Sequence, residues 1–398
     1  MDREQLAQRN RTLTEKRHAM RRIERIRRIF LRVASRIPIP KAPHTHANTL
    51  LLIRPDHIGD ALLTMPAILA LRAALPEAKL IVLCGGWTAE VFAAYSEVDY
   101  AITLPFPGFV RGVGRSSLLA PYYKAWQWAR QVRRLGAKTA VLFRPDHWWG
   151  GLLTKWAGIP HRIGYDTPDL APFLTEAHRR TNSHTVLESV ELVKRWIGNV
   201  PVTPTHLKAP FPFDSADRAV IDAVLLPEIP MDKPIVVIHP GAGTFYKTWG
   251  VEGWAWVADQ LSERLNAGVV FTGSDREHET IFAVMDHMRH KSRSLAGETT
   301  LSQMAALYDR ALVVLGPDTG PLHLAVSVGT PTVHLYGPAD PDQFGPWGDP
   351  RRHIAVTSDI GCRPCRILDW RGDDPNNHPC IREIAPSVVL EAALRAIG

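Results

Sequence analysis

The chain reads as an α/β protein: two consecutive doubly wound domains with a cleft between them, behind a basic helical arm. Three observations carry that reading. Short, continuously apolar segments alternate with helical ones, the pattern of parallel strands covered on both faces. A proline-punctuated stretch over residues 198–234 interrupts the alternation once, after which it resumes. Glycine-containing turns follow two strands of the second half, at Gly241-Ala242-Gly243 and at Gly316-Pro317-Asp318-Thr319-Gly320. A length of 398 residues allows two cores of ordinary size.

The arm comes first. Residues 1–41 hold 13 Lys/Arg against 4 Asp/Glu, a balance of +9 that leaves −2 of the total +7 for the rest. Basicity therefore belongs to the arm. Ile23, Ile26, Phe30, Val33 and Ile37 recur at helical spacing, with Arg21, Arg22, Arg25, Arg28, Arg32 and Arg36 between them. A helix of this kind suits an anionic lipid surface, a packing site with a solvated basic face, or nucleic acid. We expect the first: peripheral membrane contact through residues 1–41, with no nucleic-acid partner. Pro38, Pro40 and Pro43 end the helix, so the arm covers 1–45.

The first domain, 46–205, is expected to hold strands at 49–54, 79–84, 100–104 and 140–144. Its helices fall at 60–75, 118–135 and 185–197. The linker lies near 200–212. The second domain, 206–398, follows with helices at 215–226, 251–265, 277–288, 301–308 and from Thr319, and strands at 235–239, 269–272, 312–315 and 332–336. The last helix, 386–397, is expected to cross back and brace the first domain. A composition of 45% apolar and 22% charged residues is that of a soluble globular chain. No apolar run is long enough to span a bilayer, and no signal core opens the sequence. Four cysteines make no disulfide scaffold, which points to the cytoplasm.

Several residues stand where chemistry is possible. Asp60 follows Gly59 at the first strand–helix junction, either as a helix cap or as a general base. Asp56 and His57 compete with it. Arg54-Pro-Asp-His57 is echoed by Arg144-Pro-Asp-His147, each at a predicted strand end, where ligands of open α/β sheets bind. Four matching residues are equally compatible with coincidence. A glycine-rich turn running into a helix N-terminus offers amides and a positive dipole end to a phosphate. Gly241, Gly243, Asp318, Thr319 and Gly320 provide two such turns, which suggests a diphosphate-bearing ligand. Lys247 lies four residues past Gly243, placed to neutralise charge on a leaving group or simply to be solvated. His323 is a ligand contact or a core histidine. Thr272-Gly-Ser-Asp275 ends another strand, where a nucleoside contact is possible. Cys362, Cys365 and Cys380 with His378 match the ligand count of a structural zinc, but the spacing is not standard, and no metal is expected. No phosphate-binding Gly-x-x-x-x-Gly-Lys-Ser/Thr loop, dinucleotide fingerprint or Gly-x-Ser-x-Gly elbow is present.

Taken together these segments resemble the ADP-heptose:lipopolysaccharide heptosyltransferases, the family-9 glycosyltransferases of GT-B fold. The resemblance runs from about residue 51 to the C-terminus. It is carried by Arg54-Pro-Asp-His-Ile-Gly-Asp60 with the residues up to Ala67, Arg162-Ile-Gly-Tyr165, His239-Pro-Gly-Ala-Gly243 with Lys247-Thr-Trp249, Leu295-Ala-Gly297, Gly316 to Ala325, and Tyr336-Gly-Pro-Ala-Asp-Pro341. It implies an inverting, metal-independent transferase with no cofactor, whose two Rossmann-like domains face each other across a cleft. Asp60 is implied to be the base. Lys247 is implied to bind the donor phosphates, with Asp318, Thr319, Gly320 and His323 holding the nucleotide diphosphate. The implied donor is ADP-heptose and the implied acceptor an anionic lipid-linked saccharide, which calls for cationic groups; His57, Arg111, Arg115, Arg144, His147 and Lys155 are the candidates. The implied location is the cytoplasmic face of a membrane. Another nucleotide-sugar donor, or a non-catalytic binding protein anchored by the arm, are the alternatives.

Overall fold

Two six-stranded sheets, parallel throughout, organise the chain. The computed structural model describes residues 2–19, 22–41, 48–107, 120–225, 227–370 and 372–398. The first sheet comprises β1 (Thr49–Arg54), β2 (Lys79–Cys84), β3 (Tyr100–Thr103), β4 (Thr139–Leu142), β5 (His161–Tyr165) and β6 (Glu176–His178) in the order β3-β2-β1-β4-β5-β6. The second comprises β7 (Ile235–Ile238), β8 (Gly268–Phe271), β9 (Ser292–Ser294), β10 (Val313–Pro317), β11 (Thr332–Tyr336) and β12 (His353–Thr357) in the order β12-β11-β10-β7-β8-β9. Counted from its own first strand, each sheet has the Rossmann order 3-2-1-4-5-6 and reverses between its first and fourth strands.

The helices are α1 (Arg3–His18), α2 (Arg22–Arg36), α3 (Ile58–Ala74), α4 (Ala89–Ala94), α5 (Ala120–Arg133), α6 (Trp148–Trp156) and α7 (Thr185–Ile197), then α8 (Ser215–Leu225), α9 (Val251–Leu265), α10 (His278–His287), α11 (Leu301–Arg310), α12 (Gly320–Ser327), α13 (Pro341–Phe344) and α14 (Pro386–Ile397). Central strands β1, β7, β10 and β11 are buried at every position, as covering both faces requires, whereas edge strand β3 is not. β5 begins with His161-Arg162 and still runs inside. Arg162 is buried because its guanidinium donates to the carbonyls of Phe173 (2.6 Å), Ile159 and Pro160. α6 carries Gly150 and Gly151 because a Cβ at Gly150 would lie 2.6 Å from His147 Nδ1, and one at Gly151 2.8 Å from Leu170 Cδ1.

The chain forms two units, one of residues 20–209 and one of residues 1–19 with 210–398. Here the structure corrects the reading of residues 1–45 as a single arm. α1 belongs to the second unit: Arg3 pairs with Asp359 and Glu383, Arg9 with Asp373 (2.6 Å), and Asn10 donates to the Asn377 carbonyl (2.7 Å). Ala7 packs with Ile360 and Cys380. α2 belongs to the first unit, with Leu31 and Ala34 in its core and Arg28 forked onto Asp169 at 3.1 Å through two nitrogens. α14 packs on α9, β10, β11 and β12, and its Val389, Leu390, Ala392, Ala393 and Ala396 complete the second unit's own core.

Leu390→Ala should therefore destabilise the second unit by about 2–5 kcal/mol, the usual cost of emptying a buried leucine site. Denaturant titration followed by tryptophan fluorescence checks it, and a change below about 0.5 kcal/mol would contradict this packing.

Candidate functional site

Each sheet turns back between its first and fourth strands, and the residues leaving those strand ends form one polar cluster per unit. In the first unit β1 ends on Arg54, which is buried. Its guanidinium donates to the Phe143 carbonyl (2.7 Å) and to Asp60 Oδ1 (3.1 Å), and its Nε lies 3.0 Å from Asp56 Oδ2. The other Asp60 oxygen accepts the His57 backbone N–H (3.3 Å) in a capping box at the start of α3. Asp60 thus closes the capping box of α3 while its carboxylate stays partly exposed.

The Arg-Pro-Asp-His echo has a structural meaning. β1 and β4 are neighbours, so both copies emerge side by side. Arg144 pairs with buried Asp56 and forks onto Asp146 at 2.6 and 3.2 Å, giving a chain Asp60–Arg54–Asp56–Arg144–Asp146. Burial works against the Arg144 charge, but Asp56 and Asp146 outweigh it and raise its pKa. Asp146 is likewise opposed by burial and held low by Arg144.

Not every cationic candidate fits its role. His147 is buried beside Phe106 and Trp149, and burial pushes it down to about 4. It is neutral at neutral pH and cannot offer an anionic acceptor a charge. Lys155 lies in the last turn of α6, roughly 12 Å along the helix from His147, at the end of the sheet opposite this cluster. The Arg144 charge is already matched by two carboxylates. His57 is exposed as the N-cap of α3. Arg111 and Arg115 lie outside the described residues.

In the second unit β7 leads into His239 and Gly241, and β10 into Asp318 and Thr319. A Cβ on Gly241 would strike the Glu277 carboxylate at 1.8 Å, and one on Gly316 would meet the His239 carbonyl at 2.6 Å, so glycine permits both close approaches. Gly243 is exposed on the same turn. Lys247 Nζ donates to Asp318 Oδ2 (2.5 Å) and to the Asp318 carbonyl (3.1 Å). His323 Nε2 lies 3.9 Å from Asp318 Oδ1, and its ring is 5.6 Å from that of His334. Burial would raise Asp318, but Lys247 and His323 hold it well below the usual carboxylate range. Thr319 is the N-cap of α12 with no side-chain cap bond, and Gly320 is the first helical residue. His239 Nδ1 is 3.1 Å from the Thr272 hydroxyl, itself 3.1 Å from Tyr308 OH.

The cysteines group elsewhere. Cys362, Cys365 and Cys380 line a small cavity with Arg363, Trp370 and His378. His378 is taken by Asp373 (2.9 Å) and stacks on Trp370. Burial pushes Cys380 up to about 12. No metal-holding group of three or more His, Cys, Asp or Glu occurs among the described residues. The sequence offers Arg54 only as the first residue of the repeated tetrapeptide, not as the partner of Asp60.

Two Rossmann sheets in one chain, each with a polar cluster at its reversal point, are the architecture of the GT-B glycosyltransferases. The chain belongs to glycosyltransferase family 9 (heptosyltransferase), whose profile matches residues 128–369. It is 26% identical over 364 residues to lipopolysaccharide heptosyltransferase 2 of Salmonella typhimurium, covering 86% of this chain and 96% of that protein. The protein of the same name from Escherichia coli K12 is 25% identical over 356 residues, with 86% and 96% covered. Among solved structures, E. coli ADP-heptose LPS heptosyltransferase II superposes with a TM-score of 0.69 at 21% identity, covering 88% of this chain and 98% of that one. A family-9 glycosyltransferase from Veillonella parvula gives 0.70 at 20% identity, covering 90% and 99%.

His147 supplies a pH test of this geometry. Its folded pKa of about 4 lies below its unfolded value of about 6.5, so its contribution is complete above about 6.5 and is lost as pH falls towards 4. His147→Phe should remove up to about 3 kcal/mol of that acid-side loss. Urea melts of both proteins across this range check it, and parallel stability curves would disprove the assignment.

Proposed function

We propose that this family-9 enzyme transfers heptose from ADP-heptose, with inversion, to a lipid-linked saccharide of the cell envelope. One observation carries the reading: the two polar clusters occupy the same address in their sheets, and each has the groups for one half of that reaction. The first unit activates the acceptor. Asp60, oriented by Arg54 and the His57 amide, takes the acceptor hydroxyl proton as that oxygen bonds to the anomeric carbon. The second unit holds the donor. The bond between the anomeric carbon and the diphosphate breaks, ADP leaves, and its negative charge is met by Lys247 and the α12 N-terminus at Thr319 and Gly320.

In the structure Lys247 sits on Asp318. On this reading the donor phosphates share the ammonium with Asp318, and His323 steadies the carboxylate. The names of the relatives, lipopolysaccharide heptosyltransferases, support both donor and acceptor. A lipid-linked acceptor requires work at a membrane surface, and on this reading that surface is the cytoplasmic face; no helix of the described residues is long and apolar enough to cross a membrane. Asp60 is proposed as the base, and Gly241, Gly243, Lys247, Asp318, Thr319, Gly320 and His323 as the donor site. His57, Arg111 and Arg115 are proposed for the acceptor.

Asp60→Ala should cut turnover by about 10²–10⁴-fold while ADP affinity stays within a factor of about two. Single-turnover transfer and calorimetry read the two quantities, and retained transfer would remove Asp60 from the chemistry. Lys247→Ala should weaken ADP binding by about tenfold or more, as loss of a charge-assisted contact does. A thermal-shift series of ADP, UDP, GDP and CDP tests the donor, and a larger shift with UDP than with ADP would overturn it.

A further inference from the structure

α2 divides its surface into three strips. Leu31 and Ala34 face the first unit's core, and Arg27 and Arg28 reach Asp169 beside them. Ile26, Ile29, Phe30 and Val33, with Ile37 just past the helix end, are 47–62% exposed. At roughly 100° of rotation per residue these five fall within about 100° of one another. Arg25, Arg32 and Arg36 are exposed too, and form a row within about 40° along one margin of that apolar strip. The core-facing anchor fixes which way the strip points.

The neighbouring helix extends the pattern. Phe30 packs edge-on against Tyr122 of α5 (5.2 Å), and α5 exposes Tyr123 and Trp126 in a stack, with Arg130 over Trp126. α1 behaves differently. Its Arg3, Arg9, Arg11 and Arg17 are engaged by Asp359, Glu383, Asp373 and the carbonyls of Gly361 and Asp369.

We infer that the outer face of α2, with the aromatic end of α5, is a docking surface for an anionic phospholipid bilayer. An apolar strip about 17 Å long, margined by arginines, matches acyl chains beside a row of phosphates. A nucleic acid would use the arginines and leave the aliphatic strip in water. The interfacial preference of exposed Tyr and Trp adds to the match. Within residues 1–41 this assigns membrane contact to α2 and not to α1, and it stands apart from the transfer chemistry because it is measured without substrate.

The test is co-sedimentation of the full-length protein with vesicles of phosphatidylcholine alone and of phosphatidylcholine doped with phosphatidylglycerol, at low and high salt. Binding should require the anionic lipid and weaken with salt. Ile29→Glu combined with Val33→Glu should abolish it, and Arg25→Gln, Arg32→Gln and Arg36→Gln should weaken it about fivefold each. All variants should keep the wild-type melting temperature and ADP binding, since every changed side chain is exposed. Failure of the wild type to bind the anionic vesicles, or wild-type binding by the Ile29→Glu, Val33→Glu protein, would overturn the inference. So would light scattering showing a dimer that this double substitution converts to monomer, which would assign the face to a second copy of the chain.

Discussion

Arg54 places one guanidinium between two carboxylates, with Asp56 buried behind it and Asp60 partly open to solvent. The carboxylates of the strand-end cluster in the first unit are linked through that shared cation. Removing one member of a buried ion pair leaves an uncompensated charge, typically at a cost of about 3–5 kcal/mol. The chain of pairs from Asp60 to Asp146 therefore locks two loops that are 90 residues apart in sequence but side by side in the sheet. Asp60 gains a fixed orientation from this lock. The proton-accepting role proposed for Asp60 needs that more than raw basicity, because reach decides whether transfer happens at all.

The second unit solves a similar problem with different residues. Lys247 comes from the turn after β7 and Asp318 from the end of β10, and the pairing of those strands brings them together across 71 positions. Burial opposes the Asp318 charge, and Lys247 with His323 outweighs it and keeps the carboxylate ionised. One strand order used twice yields one cluster that orients a carboxylate and another that presents a cation and a helix N-terminus.

Legibility in the sequence followed local physics. α7, α9, α14 and β11 were readable to the residue, because apolar periodicity and flanking Gly or Pro mark their ends. β5, β6, β9 and β12 were not: β6 and β9 are mostly polar, β5 and β12 each open on a histidine, and their strand character comes from neighbours. Arg162 is buried only because three carbonyls happen to surround it. α6 was hidden by two glycines whose reason is packing against His147 and Leu170. For the site, Asp60 and the turns around Lys247 and Thr319 were legible as strand-end residues. What each touches was not: whether Arg144 is free to meet a ligand, or His147 charged, depends on partners that only the β1–β4 pairing supplies.

The placement of α1 has a consequence for how the molecule is made. α1 is synthesised well before Asp359, Asp373 and Glu383, and can pair with them only once that later stretch has been made. Residues 20–209, which hold a complete sheet of their own, are made in between. The longest of its ion pairs spans 380 positions, so the second half matures by a late, long-range docking step that the first half does not share.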